Sequence, residues 1–209
     1  MLLRRNKKGT KSVDLWAWNV EEFNTLQGPL AVQEYIQELI RNDPSNVKKI
    51  IEPPEEVDVN VWQYEHMRQF ILELNLLVTQ LNGLCTPQSC PKMKANDWLY
   101  LCAAHKKEQE CCAVDYMTHN LDLATSILQN TKNFSSRISI PESSIKCIGT
   151  IVRRLYRLFS HCYYNHKDIF MEFENEMSLC ARFTEFARRF DLMPTKLFNI
   201  PQEVLRTAE

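Results

Sequence analysis

The chain has 209 residues, 44% of them apolar, with 25 basic and 26 acidic side chains and a net charge of −1; that is enough to bury a core of its own in one domain. So even a balance excludes a function driven by overall attraction to a polyanion or an acidic membrane, and leaves only local charge asymmetry to act. The four glycines (Gly9, Gly28, Gly83, Gly149) can write neither G-x-G-x-x-G nor G-x-x-x-x-G-K-[ST], which excludes nucleotide enzymes of those two types.

Met1 to Lys8 carry charge with no apolar stretch behind it, and no apolar run approaches the roughly 18 residues of a membrane span. A soluble, reduced, intracellular protein is expected, its eight cysteines being buried thiols or metal ligands. The basic residues through Lys11 read as a solvated end, with contact to an anionic membrane as the less favoured reading. Asp14 to Gln27, with Trp16, Trp18 and Phe23, has no convincing period and reads as an extended segment laid over the domain, so residues 1–27 are set apart.

From Gly28-Pro29 to residue 193 the pattern is helical. Leu30 to Asn42 forms a short helix stopped by Asp43-Pro44. A turn with Val47, Ile50 and Ile51 leads into an exposed, proline-stiffened acidic loop, Glu52 to Asp58. Asn60 is a plausible N-cap for a long core helix using Met67, Phe70, Ile71, Leu74, Leu77, Val78 and Leu81, ended by Gly83. The Cys85-x4-Cys90 loop follows, then a short apolar run, Trp98 to Ala103, that fits strand or buried coil. Another helix covers about Asp115 to Asn130, with Tyr116, Leu123, Ala124, Ile127 and Leu128 inward. After a polar loop, Pro141 suits the first turn of a central helix from Glu142 to Phe170. The last helix runs roughly from Glu174 to Phe190 and stops at Met193-Pro194, leaving residues 194–209 as a tail. The sum is an all-α bundle without internal repeats.

The central helix carries two features. Ile145, Ile148, Val152, Leu155, Phe159 and Cys162 make an apolar stripe, and Lys146, Arg153, Arg154 and Arg157 form a basic ridge opposite it, with no acid between Glu142 and Asp168. Near its end stand His161 and His166. With Cys85 and Cys90 they supply two thiolates and two imidazoles, a closed set for structural zinc that would join a loop to this helix. The alternative makes Cys85 and Cys90 loop thiols and His166 a hydrogen-bonded core histidine, and spacing does not choose between them. A rival set draws on Cys102, His105, Cys111, Cys112 or His119, among which no comparable pair stands out. Five residues of regular helix turn about 500°, leaving the two histidines about 140° apart. If both bind one ion, the helix must tighten, bulge or end between Cys162 and Asn165.

Arg153-Arg154-Leu155-Tyr156-Arg157 leading to Ser160-His161-Cys162-Tyr163-Tyr164-Asn165-His166, together with Cys85-x4-Cys90, resembles the Mob (Mps one binder) family of kinase coactivators and adaptors. Lys49 to Glu55, Trp62 to Phe70, Leu101 to Lys106 and Phe173 to Glu176 are similar to its phocein-like branch, the Mob-like subunits of striatin-based phosphatase and kinase assemblies. The resemblance covers roughly Arg4 to Met193. It implies an all-α fold, one structural zinc (Zn2+) on Cys85, Cys90, His161 and His166, and no catalytic activity. It implies that Arg153, Arg154 and Arg157 match residues that bind phosphorylated Ser/Thr segments of upstream kinases. The partners it implies are a striatin-type scaffold, protein phosphatase 2A and germinal-centre-type kinases, in the cytoplasm or peripherally on Golgi or other internal membranes. The competing class is a nucleic-acid-binding zinc protein using the same ridge, against which stand the near-neutral charge and the shortness of the ridge.

Overall fold

The computed structural model describes residues 8–11, 14 and 21–205, so Trp16, Trp18 and most of the basic end lie outside the described residues. The regular elements among the described residues are helices apart from one two-stranded hairpin: α1 Ala31–Asn42, α2 Val47–Ile51, α3 Val59–Gln80, β1 Lys94–Ala95, β2 Trp98–Leu99, α4 Ala113–Leu128, α5 Glu142–Ile145, α6 Ile148–Asn165, α7 Lys167–Met177 and α8 Leu179–Arg189. The all-α expectation holds. Among these described helices, none is long and apolar enough to cross a membrane.

Two long helices organise the core. α3 packs on α1, α4, α5, α7 and α8, while α6 packs on α4, α5, α7 and the hairpin. The stripe read on α6 is inside, with Ile148, Val152, Leu155, Phe159 and Cys162 fully buried. On α3, Trp62 through Met67 are all buried, a run that reflects neighbours on several sides rather than one amphipathic face. The cap of α3 is Asp58, whose carboxylate accepts from the backbone N–H of Asn60 (2.8 Å) and Val61 (3.3 Å). Asn60, expected as the cap, instead donates its side-chain amide to the Ile140 carbonyl at 2.9 Å, tying α3 to the loop before α5.

Two expected helices are divided. Glu142 to Phe170 is not one helix but α5, α6 and the start of α7. Lys146 and Cys147 keep right-handed dihedrals between α5 and α6, whereas His166 leaves the helix at φ −139°, ψ 51°. Glu174 to Phe190 is divided at Ser178, which sits in the left-handed region at φ 47°. The Glu174 carboxylate makes this corner tolerable by accepting from the N–H groups of Cys180 (2.7 Å) and Ala181 (2.8 Å), orphan donors at the start of α8. The run Trp98 to Ala103 opens in strand β2, Trp98–Leu99, as one of the two readings has it, but Trp98, Leu99 and Leu101 are exposed while Cys102 turns in.

Residues 194–205, expected as tail, lie along α6. Ile200 is buried, Ser160 donates to the Asn199 side-chain oxygen at 2.7 Å, and the Phe198 ring meets that of Tyr156 edge-on at 5.3 Å. Tyr156 and Phe198 are both large aromatics, and burying them together outweighs leaving this segment free in water.

Candidate metal centre and basic pocket

The Cys85–Cys90 loop is built to hold its sulfurs still. Gly83 turns the chain at φ 79° after α3, and the Cys85 N–H donates back to the Leu81 carbonyl at 2.9 Å. Ser89 closes the loop, donating from its hydroxyl to the Leu84 carbonyl (2.6 Å) and accepting from the Thr86 N–H (2.9 Å). The two histidines come from the end of α6 and the residue that terminates it. Cys85 Sγ lies 3.5 Å from His161 Nε2, Cys90 Sγ lies 3.4 Å from His166 Nε2, and the four ligand atoms fall within 4.8 Å of one another. A tetrahedral zinc with Zn–S of about 2.3 Å and Zn–N of about 2.0–2.1 Å sets its S···N edges at about 3.6 Å. The fit is close.

The surrounding hydrogen bonds agree. His161 Nδ1 donates to the Lys94 carbonyl at 2.6 Å, which leaves Nε2 unprotonated and aimed at the sulfurs. Asn165 donates to the same carbonyl at 3.1 Å and to the His161 carbonyl at 3.0 Å. Burial, with Cys90 alongside, pushes the Cys85 thiol up to about 12 without a cation, so a divalent ion would supply the charge that keeps it a thiolate. The splay between the histidines is removed by ending α6 at Asn165, at the edge of the predicted interval, and swinging His166 out of the helix. Sequence proposed Cys102, His105, Cys111, Cys112 and His119 as a rival set; four of these gather at a separate place, and Cys112 joins neither group.

The arginines face a cavity of about 360 Å³ whose lining includes Arg153, Arg154, Arg157, Lys196, Trp98 and Tyr100. Among the described residues none of the three arginines has a carboxylate partner. The Glu174 carboxylate caps α8 and is not one of their partners. The ridge is not bare throughout: Arg157 donates to the Tyr116 hydroxyl at 2.8 Å and stacks 4.7 Å from the Tyr100 ring centre, while Arg153 reaches back to the Gly149 carbonyl at 3.3 Å. Lys196 was missed because it lies in the presumed tail; its position beside α6 follows from the packing of Leu197, Phe198 and Ile200, too short an apolar run to declare a docked segment in sequence.

Residues 38–201 match the sequence profile of the Mob1/phocein family. The chain is 49% identical over 208 residues to "MOB kinase activator-like 4" of Drosophila melanogaster, covering 99% of this chain and 93% of that protein. The chain belongs to the Mob1/phocein family. It is also 44% identical over 200 residues to "MOB-like protein phocein" of Caenorhabditis elegans, covering 95% and 90%, and 28% identical over 169 residues to "Maintenance of ploidy protein mob1" of Schizosaccharomyces pombe, covering 77% and 80%. As a Mob1/phocein protein it is an adaptor or regulator of kinase complexes. The profile reaches residue 201, past the Met193 boundary read from sequence and through the segment that brings Lys196 to the cavity.

Proposed function

We propose that this chain is a non-enzymatic adaptor that uses zinc as a structural staple and Arg153, Arg154 and Arg157 as a pocket for a phosphorylated Ser/Thr segment of a partner. The observation that carries the reading is a basic cavity whose arginines have no acid to neutralise them among the described residues. Like charges three and four residues apart repel, and a phosphate group between their planar forks relieves that repulsion with bidentate hydrogen bonds. Zinc on Cys85, Cys90, His161 and His166 leaves no open coordination position for water, which argues against hydrolysis there. A single walled cavity also favours a discrete phosphate over a continuous nucleic-acid backbone, which asks for a broad basic surface.

The resemblance of Lys49 to Glu55, Trp62 to Phe70, Leu101 to Lys106 and Phe173 to Glu176 to the phocein-like branch implies, as partners, a striatin-type scaffold, protein phosphatase 2A and germinal-centre-type kinases, in the cytoplasm or at the surface of Golgi or other internal membranes. The test pairs phosphorylated and unphosphorylated forms of one kinase-derived peptide, read by fluorescence anisotropy. Arg154→Ala with Arg157→Ala should abolish the preference for the phosphorylated form, and Arg154→Ala alone, which breaks no hydrogen bond or ion pair among the described residues, should weaken it without lowering the melting temperature. Equal binding of both forms by the native protein, or normal binding by the double variant, removes the phosphate reading. Affinity purification without any striatin-like protein removes the assembly reading and leaves the pocket standing.

A further inference from the structure

Cys102, His105, Cys111 and His119 bring two thiols and two imidazoles to one point, all within 4.8 Å of one another. Their sequence spacing, Cys-x2-His-x5-Cys-x7-His, spans only 18 residues, so the group is contiguous where the Cys85 centre joins distant segments. Cys102 Sγ lies 3.5 Å from His119 Nδ1, His105 Nε2 lies 3.0 Å from Cys111 Sγ, and Cys111 Sγ lies 4.0 Å from His119 Nδ1. These straddle the S···N edge of about 3.6 Å of a tetrahedral zinc with two sulfurs and two nitrogens.

The loop needs such a point. Ala104, Lys106, Lys107, Glu108, Gln109 and Glu110 are exposed, so the loop has almost no core to offset the entropy of ordering it. What holds it is the bridge between Cys102 and Gln109, the Met93 N–H on the Cys111 carbonyl, a half-exposed Lys92–Glu110 ion pair at 2.8 Å, and the four-donor cluster itself. No carboxylate joins the cluster, and two thiols with two imidazoles select zinc over the hard cations.

We propose that Cys102, His105, Cys111 and His119 form a second zinc site, closed and structural, that staples the 102–111 loop to α4. It differs from the first in being local, and in lying beside the basic pocket. Tyr100 precedes Cys102 by two residues and Tyr116 precedes His119 by three, and these two tyrosines hold Arg157. The ion thus fixes the loop that carries one wall of that pocket. The proposal does not rest on the phosphate reading, because metal content reads it directly.

Elemental analysis of the full-length protein, purified without chelator, should give two zinc per chain. Cys111→Ser and His105→Ala should each lower the count by one while Cys90→Ser lowers it independently. Should the substituted proteins fail to fold, a cobalt(II) titration of the native chain decides the matter, with thiolate-to-metal absorption rising to two equivalents. One equivalent in the native protein overturns the proposal, as does an undiminished count in Cys111→Ser. So does a disulfide between Cys102 and Cys111, located by peptide mapping of the denatured, unreduced protein.

Discussion

Arg157 is fixed from two sides: its guanidinium donates to the Tyr116 hydroxyl at 2.8 Å and rests 4.7 Å from the centre of the Tyr100 ring. Both contacts orient the fork without neutralising it, which is what an anion site needs and a structural ion pair lacks. Removing the ring, Tyr100→Ala, should leave the charge in place but unoriented. Phosphopeptide affinity should fall about 3- to 10-fold, the worth of a partly exposed cation–π contact. Anisotropy titrations at two salt concentrations check this, the native protein showing the steeper salt dependence.

Zinc should be inseparable from folding. A structural zinc contributes on the order of 10 kcal/mol to small domains, against a total stability of about 5–15 kcal/mol. Cys90→Ser, or prolonged treatment with a strong chelator, should therefore lose much of the cooperative thermal transition and free the end of α6. Circular dichroism melting with and without added zinc measures it, and restoration by zinc in the native protein alone is the expected result.

The Arg182 side chain, 0% exposed, donates to both Glu73 carboxylate oxygens (3.0 and 2.9 Å) and to the Met177 carbonyl. The pair ties α3 to the corner between α7 and α8. Glu73→Ala leaves a buried cation without its counter-charge and should cost about 3–5 kcal/mol. Glu73→Leu with Arg182→Met should cost much less than the two single changes summed. Urea unfolding of all four proteins gives the coupling directly.

His66 is fully buried among Trp62, Phe70 and Phe186, and burial first, then the nearby Arg182 charge, push its imidazole from 6.5 down to about 3. The unfolded chain takes up this proton below its ordinary range while the folded chain refuses it. The corresponding stability is thus complete above about pH 6.5 and is lost progressively as pH falls toward 3. His66→Phe should remove about 2 kcal/mol of the stability change between pH 7.5 and pH 5. Chemical denaturation of both proteins at the two pH values decides it, and equal losses would show that the imidazole is not excluded from protonation.

The separate elements were legible because their signals are local. The α6 stripe from Ile148 to Cys162 is a period that burial reproduces, and Cys-x4-Cys with the two histidines is a spacing that the structure closes to 3.5 and 3.4 Å. The end of α6 at Asn165 was legible only through the metal reading, since 3.6 residues per turn cannot point His161 and His166 at one ion, whereas the apolar pattern alone ran the helix on to Phe170. The corner at Ser178 was not readable, because the Glu174 cap that stabilises it comes from the preceding helix, several residues back.

What the sequence by itself determined is the helical class, the α6 stripe, the candidate set Cys85, Cys90, His161 and His166 and the three arginines, carried by periodicity, by local pair spacing and by the family resemblance. Tertiary structure alone decided which charges are buried and where the remaining cysteines go. Glu73 and Arg182 stand 109 residues apart, and a lone charged residue in a sequence defaults to the surface until packing brings its partner. Cys102, His105 and Cys111 lie on an irregular loop with no period to declare a shared direction, so their convergence on His119 exists only once that loop is laid against α4.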